Sequence, residues 1–171
     1  MEQKKTSHIL KGAIIGLILI VYSTTLYLTG QMMNKGLSYV SYLILFIGLI
    51  VSGNLFSKEN NGNVTFGNVF AHCFKVNAIV TLLVIIWSVL SFKVIFPNME
   101  DQMMDISRKE LEKSGTLSDE QISQSLAFMK KGFMVFMIGG VILGYAILGA
   151  IGSLIAAAIA KKNPQQPFPQ G

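Results

Sequence analysis

What this chain has little of narrows it first. Only 13% of its 171 residues are charged, against about 25% in an average soluble domain, and a single cysteine, Cys73, is present. One cysteine excludes a disulfide scaffold and a cysteine-built zinc or iron–sulfur centre. Three of the four prolines fall in the tail NPQQPFPQG, which has no apolar pattern and is expected to be disordered over residues 163–171. Low-charge composition with 51% hydrophobic residues excludes a chain disordered throughout. No P-loop, nucleophile elbow or H-E-x-x-H occurs, so the common phosphate, acyl-transfer and zinc-hydrolase signatures are missing.

Long apolar runs are what the chain has. A spanning helix needs about 20 predominantly apolar residues, because hydrocarbon about 30 Å thick is crossed at 1.5 Å per residue. Residues 9–30, 37–56, 76–96 and 132–160 qualify. The fold class read from them is all-α, a polytopic membrane protein of four transmembrane helices in one domain over residues 1–162. The short link through Asn34, Lys35 and Gly36 makes the first two spans an antiparallel hairpin. The first span is too long for a secretory signal core and lacks an A-x-A site after it, so it is expected to stay attached.

The net charge of +5 does not point to nucleic acid, because the basic residues edge the apolar runs, as membrane anchors do. Four spans place both termini on one side. Lysine and arginine counts tie: Lys4, Lys5, Lys11, Lys58, Lys75, Lys161 and Lys162 face Lys35, Lys93, Arg108, Lys109, Lys113, Lys130 and Lys131. Density before the first helix favours cytoplasmic termini.

Residues 97–131 read as a non-cytoplasmic helical hairpin broken at Gly115. Ser118 and Gln121 form a capping-box pattern, Asp119 and Glu120 lie in the first turn, and Lys130 and Lys131 close the last. Ile122, Leu126, Met129 and Phe133 make an apolar stripe, and the first three are a candidate partner surface unless the first loop helix covers them. On the termini side, Asn61-Gly62 is a tight corner and Thr65 caps the next helix. Phe66, Phe70 and Phe74 recur every four residues, with Asn68, His72 and Lys75 on another stripe, which reads as an interfacial collar. His72 beside Cys73 does not make a metal site, since neighbours on a helix point about 100° apart.

All nine acids are expected outside the hydrocarbon, so a proton pump would lack its central carboxylate. Asn77, Thr81 and Ser88 share a face of the third span, and Ser23, Thr24 and Thr25 cluster in the first; such groups usually bridge helices. Small residues at Gly140, Gly144, Gly152 and Ala156, with Gly12 and Gly16 on the first span, predict a close-packed seam. Met99, Met103, Met104, Met129, Met134 and Met137 are read as adaptable filling, not copper ligands.

Phe66-Gly67-Asn68-Val69-Phe70 after a polar turn, Ser118-Asp119-Glu120-Gln121-Ile122, and a glycine-rich span ending in Leu154-Ile155-Ala156-Ala157-Ala158-Ile159 before lysines resemble the bacterial membrane family catalogued as domain-of-unknown-function four-one-nine-nine. The resemblance covers roughly Gly12 to Lys162 and implies a four-helix inner-membrane protein. Phe74-Lys75-Val76 resembles the family's step into the third helix, with Asn77 standing where a small residue is expected. The family has no assigned activity, so no catalytic residue is carried over.

The functional expectation is a non-enzymatic membrane scaffold or partner-binding protein of the bacterial inner membrane. The alternative is a small-solute channel or transporter acting as an oligomer. No cofactor or metal is expected, and the expected partners are the lipid bilayer and either another copy or a membrane or periplasmic protein.

Overall fold

A computed structural model of the chain describes residues 6–32 and 34–163. Every regular element among them is helical: α1 (His8–Leu28), α2 (Lys35–Glu59), α3 (Phe66–Leu90), α4 (Met99–Ser114) and α5 (Asp119–Ile159), with a π-helical turn, Ser91–Ile95, continuing α3. Four helices are long and apolar enough to cross a membrane: His8–Leu28, Gly36–Glu59, Phe66–Ile95 and Asp119–Ile159. That is the make-up of a multi-pass membrane protein. Lys4 and Lys5, which weighed in the expected orientation, and residues 164–171 of the expected tail lie outside the described residues.

Local chemistry sets the helix ends. The Ser7 hydroxyl accepts from the Leu10 N–H at 3.2 Å, Asn34 Oδ1 accepts from Gly36 and Leu37, and Thr65 Oγ1 accepts from Asn68 at 3.2 Å. Each satisfies amides that a helix leaves without partners. Asn61 and Gly62 form the corner after α2 at φ 55° and 75°, and Gly115 ends α4 at φ 63°. The capping box at α5 is reciprocal: the Ser118 N–H donates to Gln121 Oε1 at 2.9 Å, and the Gln121 N–H to Ser118 Oγ at 3.3 Å.

One expected boundary is absent. The second loop helix and the fourth span are a single uninterrupted helix of 41 residues, about 60 Å long. Lys130-Lys131-Gly132 marks a change from polar to apolar sequence, and nothing there stops a helix: no proline intervenes, and one glycine costs about 1 kcal/mol.

The described residues divide into two compact units, one running to Val84 and resuming at Leu143, the other Ile85–Ile142. In the first, Leu45, Leu49, Val69, Val76 and Val80 are fully buried with Ala156 and Ala157. Backbones approach closely there. A Cβ on Gly12 would meet Ile79 Cβ at 2.7 Å, one on Gly16 would meet Leu83 at 2.9 Å, and one on Gly152 would meet Leu49 at 2.8 Å. Gly12 and Gly16 thus receive α3, while Gly152 and Ala156 receive α2, Ala156 lying beside Gly53. At the other end of the expected seam no described residue takes part, since a Cβ on Gly140 or Gly144 meets nothing within 4 Å. A four-residue register tells which stripe of a long helix is small, but not over which turns a neighbour lies against it.

In the second unit, Phe92, Met99, Met104, Ile122 and Leu126 are buried. The Phe92 and Phe133 rings meet edge-on at 5.0 Å, and Lys130 Nζ donates to Asp101 at 2.8 Å. α4 turns Asp105, Lys109, Glu110 and Lys113 outward, and Arg108 lies 3.8 Å from Glu112 one turn on.

Candidate functional site

The densest polar cluster of the first unit joins three helices. Lys11 on α1 donates to Glu59 on α2 at 2.9 Å, with the two side chains only 5% and 13% exposed. On α3, His72 lies with its ring stacked on Phe56, centroids 4.2 Å apart, and Nε2 3.3 Å from Ser52 Oγ. The His8 ring lies edge-on to that of His72, centroids 6.5 Å apart, and the buried Cys73 thiol donates to the Leu49 carbonyl.

Two expectations change here. The collar pattern puts His72 on a polar interfacial stripe, yet it is buried at 9% exposure. An imidazole that finds a flat aromatic face and a hydroxyl keeps its ring apolar and its nitrogen bonded, which offsets desolvation. Glu59 is not a free loop acid but the last residue of α2. The signal was present in the hairpin, because counting both helices back from their turn sets Lys11 level with Ser52, and Glu59 about two turns farther. A lysine inside a span with a carboxylate within its reach is a pair to look for.

Ser52 and His72 stand within hydrogen-bond reach of each other, as a nucleophile and a base would. A triad needs a third group orienting the base. Among the described residues no carboxylate bonds the other ring nitrogen, and Glu59 is engaged by Lys11. The described residues hold no group of three histidine, cysteine or acidic side chains placed for a metal. Lys11 and Ser52 instead end a laterally open apolar groove of about 340 Å³ between α1 and α2, walled by Ile14, Ile18, Ile47 and Val51.

A second polar bridge lies deeper. Asn77, buried on α3, donates from Nδ2 to the Tyr145 carbonyl of α5 at 2.9 Å. A Cβ on Gly149 would overlap that amide, so glycine at 149 makes the room Asn77 occupies. Thr81 only bonds back to the Asn77 carbonyl at 2.9 Å, and Ser88 is half-buried. Ser23, Thr24 and Thr25 bond back to carbonyls of their own helix, at Ile20 and Val21, so they do not bridge helices.

Of the collar, Phe66 and Phe74 are exposed, Phe70 stacks on Phe74 at 5.8 Å, and Lys75 is exposed. Lys162 Nζ stands 5.4 Å over the Phe66 ring. The proposed partner stripe is already covered: Ile122 and Leu126 are 2% and 8% exposed, and Met129 is half-buried. The exposed aromatic of that helix segment is Phe128, whose ring lies 5.5 Å from that of Phe136.

With this geometry in hand, comparison with known proteins gives one match: the family described as a protein of unknown function (DUF4199) aligns with residues 11–162. No curated protein and no solved structure matches the chain.

Proposed function

This chain belongs to the DUF4199 family of proteins of unknown function, which supplies no activity to inherit, and we propose that it is a non-enzymatic membrane scaffold that holds a protein partner through residues 97–131. The observation that carries this reading is the internal order of that segment. Its apolar ridge is buried, its second helix has a reciprocal cap, and Asp101 pairs with Lys130. The charged face of α4 is therefore held in a fixed arrangement, as a recognition surface requires. The polar groups of the spans support the scaffold over the channel, because Lys11, Glu59, Thr81 and the Asn77 amide nitrogen are engaged within the protein, although Asn77 Oδ1 has no partner among the described residues. In this reading the hairpin is outside the cytoplasm, both termini are inside, and the membrane is a bacterial inner membrane.

Site-specific photocrosslinking in native membranes tests the partner. Crosslinkers at Arg108 and Lys109 on α4 should give one discrete adduct of constant mass, and crosslinkers at lipid-facing Ile47 should not. A purified homo-oligomer that conducts ions in liposomes, with no α4 adduct, would replace the scaffold with the channel. Alkaline phosphatase fused after Lys162 should be inactive and fused at Gly115 active; the reverse would invert the topology.

A further inference from the structure

At the end of the first unit where α2 and α5 finish, the chain builds a polar cavity of about 630 Å³ lined by Asn54, Ser57, Lys58, Asn61, Lys161 and Asn163. Its walls come from segments about a hundred residues apart, tied by hydrogen bonds. The Asn163 N–H donates to the Gly62 carbonyl at 3.0 Å, Asn163 Nδ2 donates to the Asn61 carbonyl at 2.6 Å, and the Ser57 hydroxyl donates to the Lys161 carbonyl. A side chain at Gly62 would run into Asn163 at 2.8 Å and would also be strained at φ 75°.

Four lysines gather at this end, and they are not equivalent. Lys11 is neutralised by Glu59, and Lys162 is committed to the Ala157 carbonyl and the Phe66 ring. Lys58 and Lys161 line the cavity, and among the described residues neither takes part in an ion pair. Lysines at helix C-termini ordinarily serve to offset the carbonyl dipoles, but here several of those carbonyls have other donors. The Ser57 carbonyl accepts from Asn60 and Gly62, the Lys58 carbonyl from Asn61, and the Phe56 carbonyl from Asn60 Nδ2. At α5 the Ala156 and Ala157 carbonyls accept from the Ala160 N–H and from Lys162 Nζ. The cavity is left with two ammonium groups among amide and hydroxyl side chains, and no acid among the described residues lines it.

We propose that this cavity is a binding site for a phosphate-bearing anion, held by Lys58 and Lys161 with amide donors from Asn54 and Asn61. Phosphate matches two ammonium groups in charge, and its oxygens match amide N–H donors. The volume exceeds what one phosphate fills, leaving room for the substituent that a phospholipid headgroup or a soluble phosphate ester carries. Asn54 lies in the last turn of the apolar stretch of α2 and Ser57 directly follows that stretch, at the level where headgroups meet an apolar span.

The test uses the full chain purified in detergent, with bound molecules counted by native mass spectrometry. Probes are phosphatidylglycerol, phosphatidylcholine and glycerol 3-phosphate, offered to wild type, to the Lys58→Gln/Lys161→Gln double variant, and to a Lys109→Gln/Lys113→Gln control on α4. Phosphatidylglycerol should bind wild type and control at one per chain, and at least tenfold more weakly to the Lys58/Lys161 variant. Lys58→Arg/Lys161→Arg should restore binding, which separates lost charge from lost fold. If glycerol 3-phosphate displaces the lipid or binds alone with the same lysine dependence, the natural source is a soluble phosphate ester; if it does neither, the source is a headgroup. Equal binding to wild type and the Lys58→Gln/Lys161→Gln variant, or equal affinity for phosphatidylcholine and phosphatidylglycerol, overturns the site.

Discussion

The unit that runs to Val84 and resumes at Leu143 presents Ile14, Ile18, Ile47 and Ile151 outward, while polar and small groups join the buried Leu45, Leu49, Val69, Val76 and Val80 in its interior contacts. The polar and small groups are Lys11 with Glu59, His72 with Ser52, Asn77 with Tyr145, and glycines where helices meet. Residues 85–142 invert that plan in α4 and the first turns of α5: charges lie outside, and Met99, Met104, Ile122 and Leu126 lie inside. The contrast follows from solvent. Among lipid tails an apolar side chain gains nothing by leaving the surface, so association rests on close packing and on polar groups that have nowhere else to bond. In water the buried apolar ridge itself drives the pairing.

The largest effect should therefore come from placing a charge in the water-type interior. Leu126→Asp removes a buried side chain and leaves a carboxylate without a partner, at a cost of about 4 kcal/mol. Amide exchange should show α4 and the first turns of α5 losing protection while membrane insertion survives. Full protection in the variant would mean that Leu126 is not part of the ridge. Next comes the lipid-type interior. Glu59→Gln leaves Lys11 buried and unpaired and should cost about 3 kcal/mol, whereas Lys11→Met with Glu59→Leu should recover most of it, because removing a buried pair entirely is often neutral. A single-variant cost under about 1 kcal/mol would show Lys11 extending to water, so that the pair behaves as a surface one.

A somewhat smaller loss is expected at the Asn77 bridge. The methyl group of Gly149→Ala would occupy the space of the Asn77 amide and break its bond to Tyr145, for about 2 kcal/mol in detergent melting. Adding Asn77→Ala frees that space, so the double variant should be more stable than the two single losses predict. Strict additivity would show that the two residues do not meet.

How much of this was legible depended on whether the signal was local. The caps at Thr65 and Ser118 and the corner at Asn61-Gly62 could be read because side-chain chemistry a few residues away determines them. The Lys11–Glu59 pair and the burial of His72 could not be read from single helices. Each depends on which face of α1, α2 and α3 turns inward, and in an apolar span every face has nearly the same hydropathy. His72 looked like part of a polar stripe because its partners, Ser52 and Phe56, lie on another helix. The continuity of α5 was missed for a related reason: composition changes at Lys131-Gly132 while backbone conformation does not.

The smallest effect sharpens the comparison most, because it concerns small residues with no neighbour. Gly140 and Gly144 share the small-residue register with Gly152, yet a Cβ at either meets open space, whereas at Gly152 it would press on Leu49 and Phe46. Gly144→Leu should leave the detergent melting temperature unchanged, or raise stability by up to about 1 kcal/mol through better helix propensity. Gly152→Leu should lower it, since the added side chain displaces the fully buried Leu49. The pair of variants thus separates small residues that permit packing from small residues that merely face lipid. A loss at Gly144 comparable to that at Gly152 would show that another helix occupies that face in the membrane, against which no described residue of this chain lies, and the natural candidate would be a second copy. Blue-native electrophoresis of wild type beside Gly144→Leu then decides the matter: an oligomer that the substitution disrupts requires such a helix, and a monomer in both lanes leaves the face to lipid.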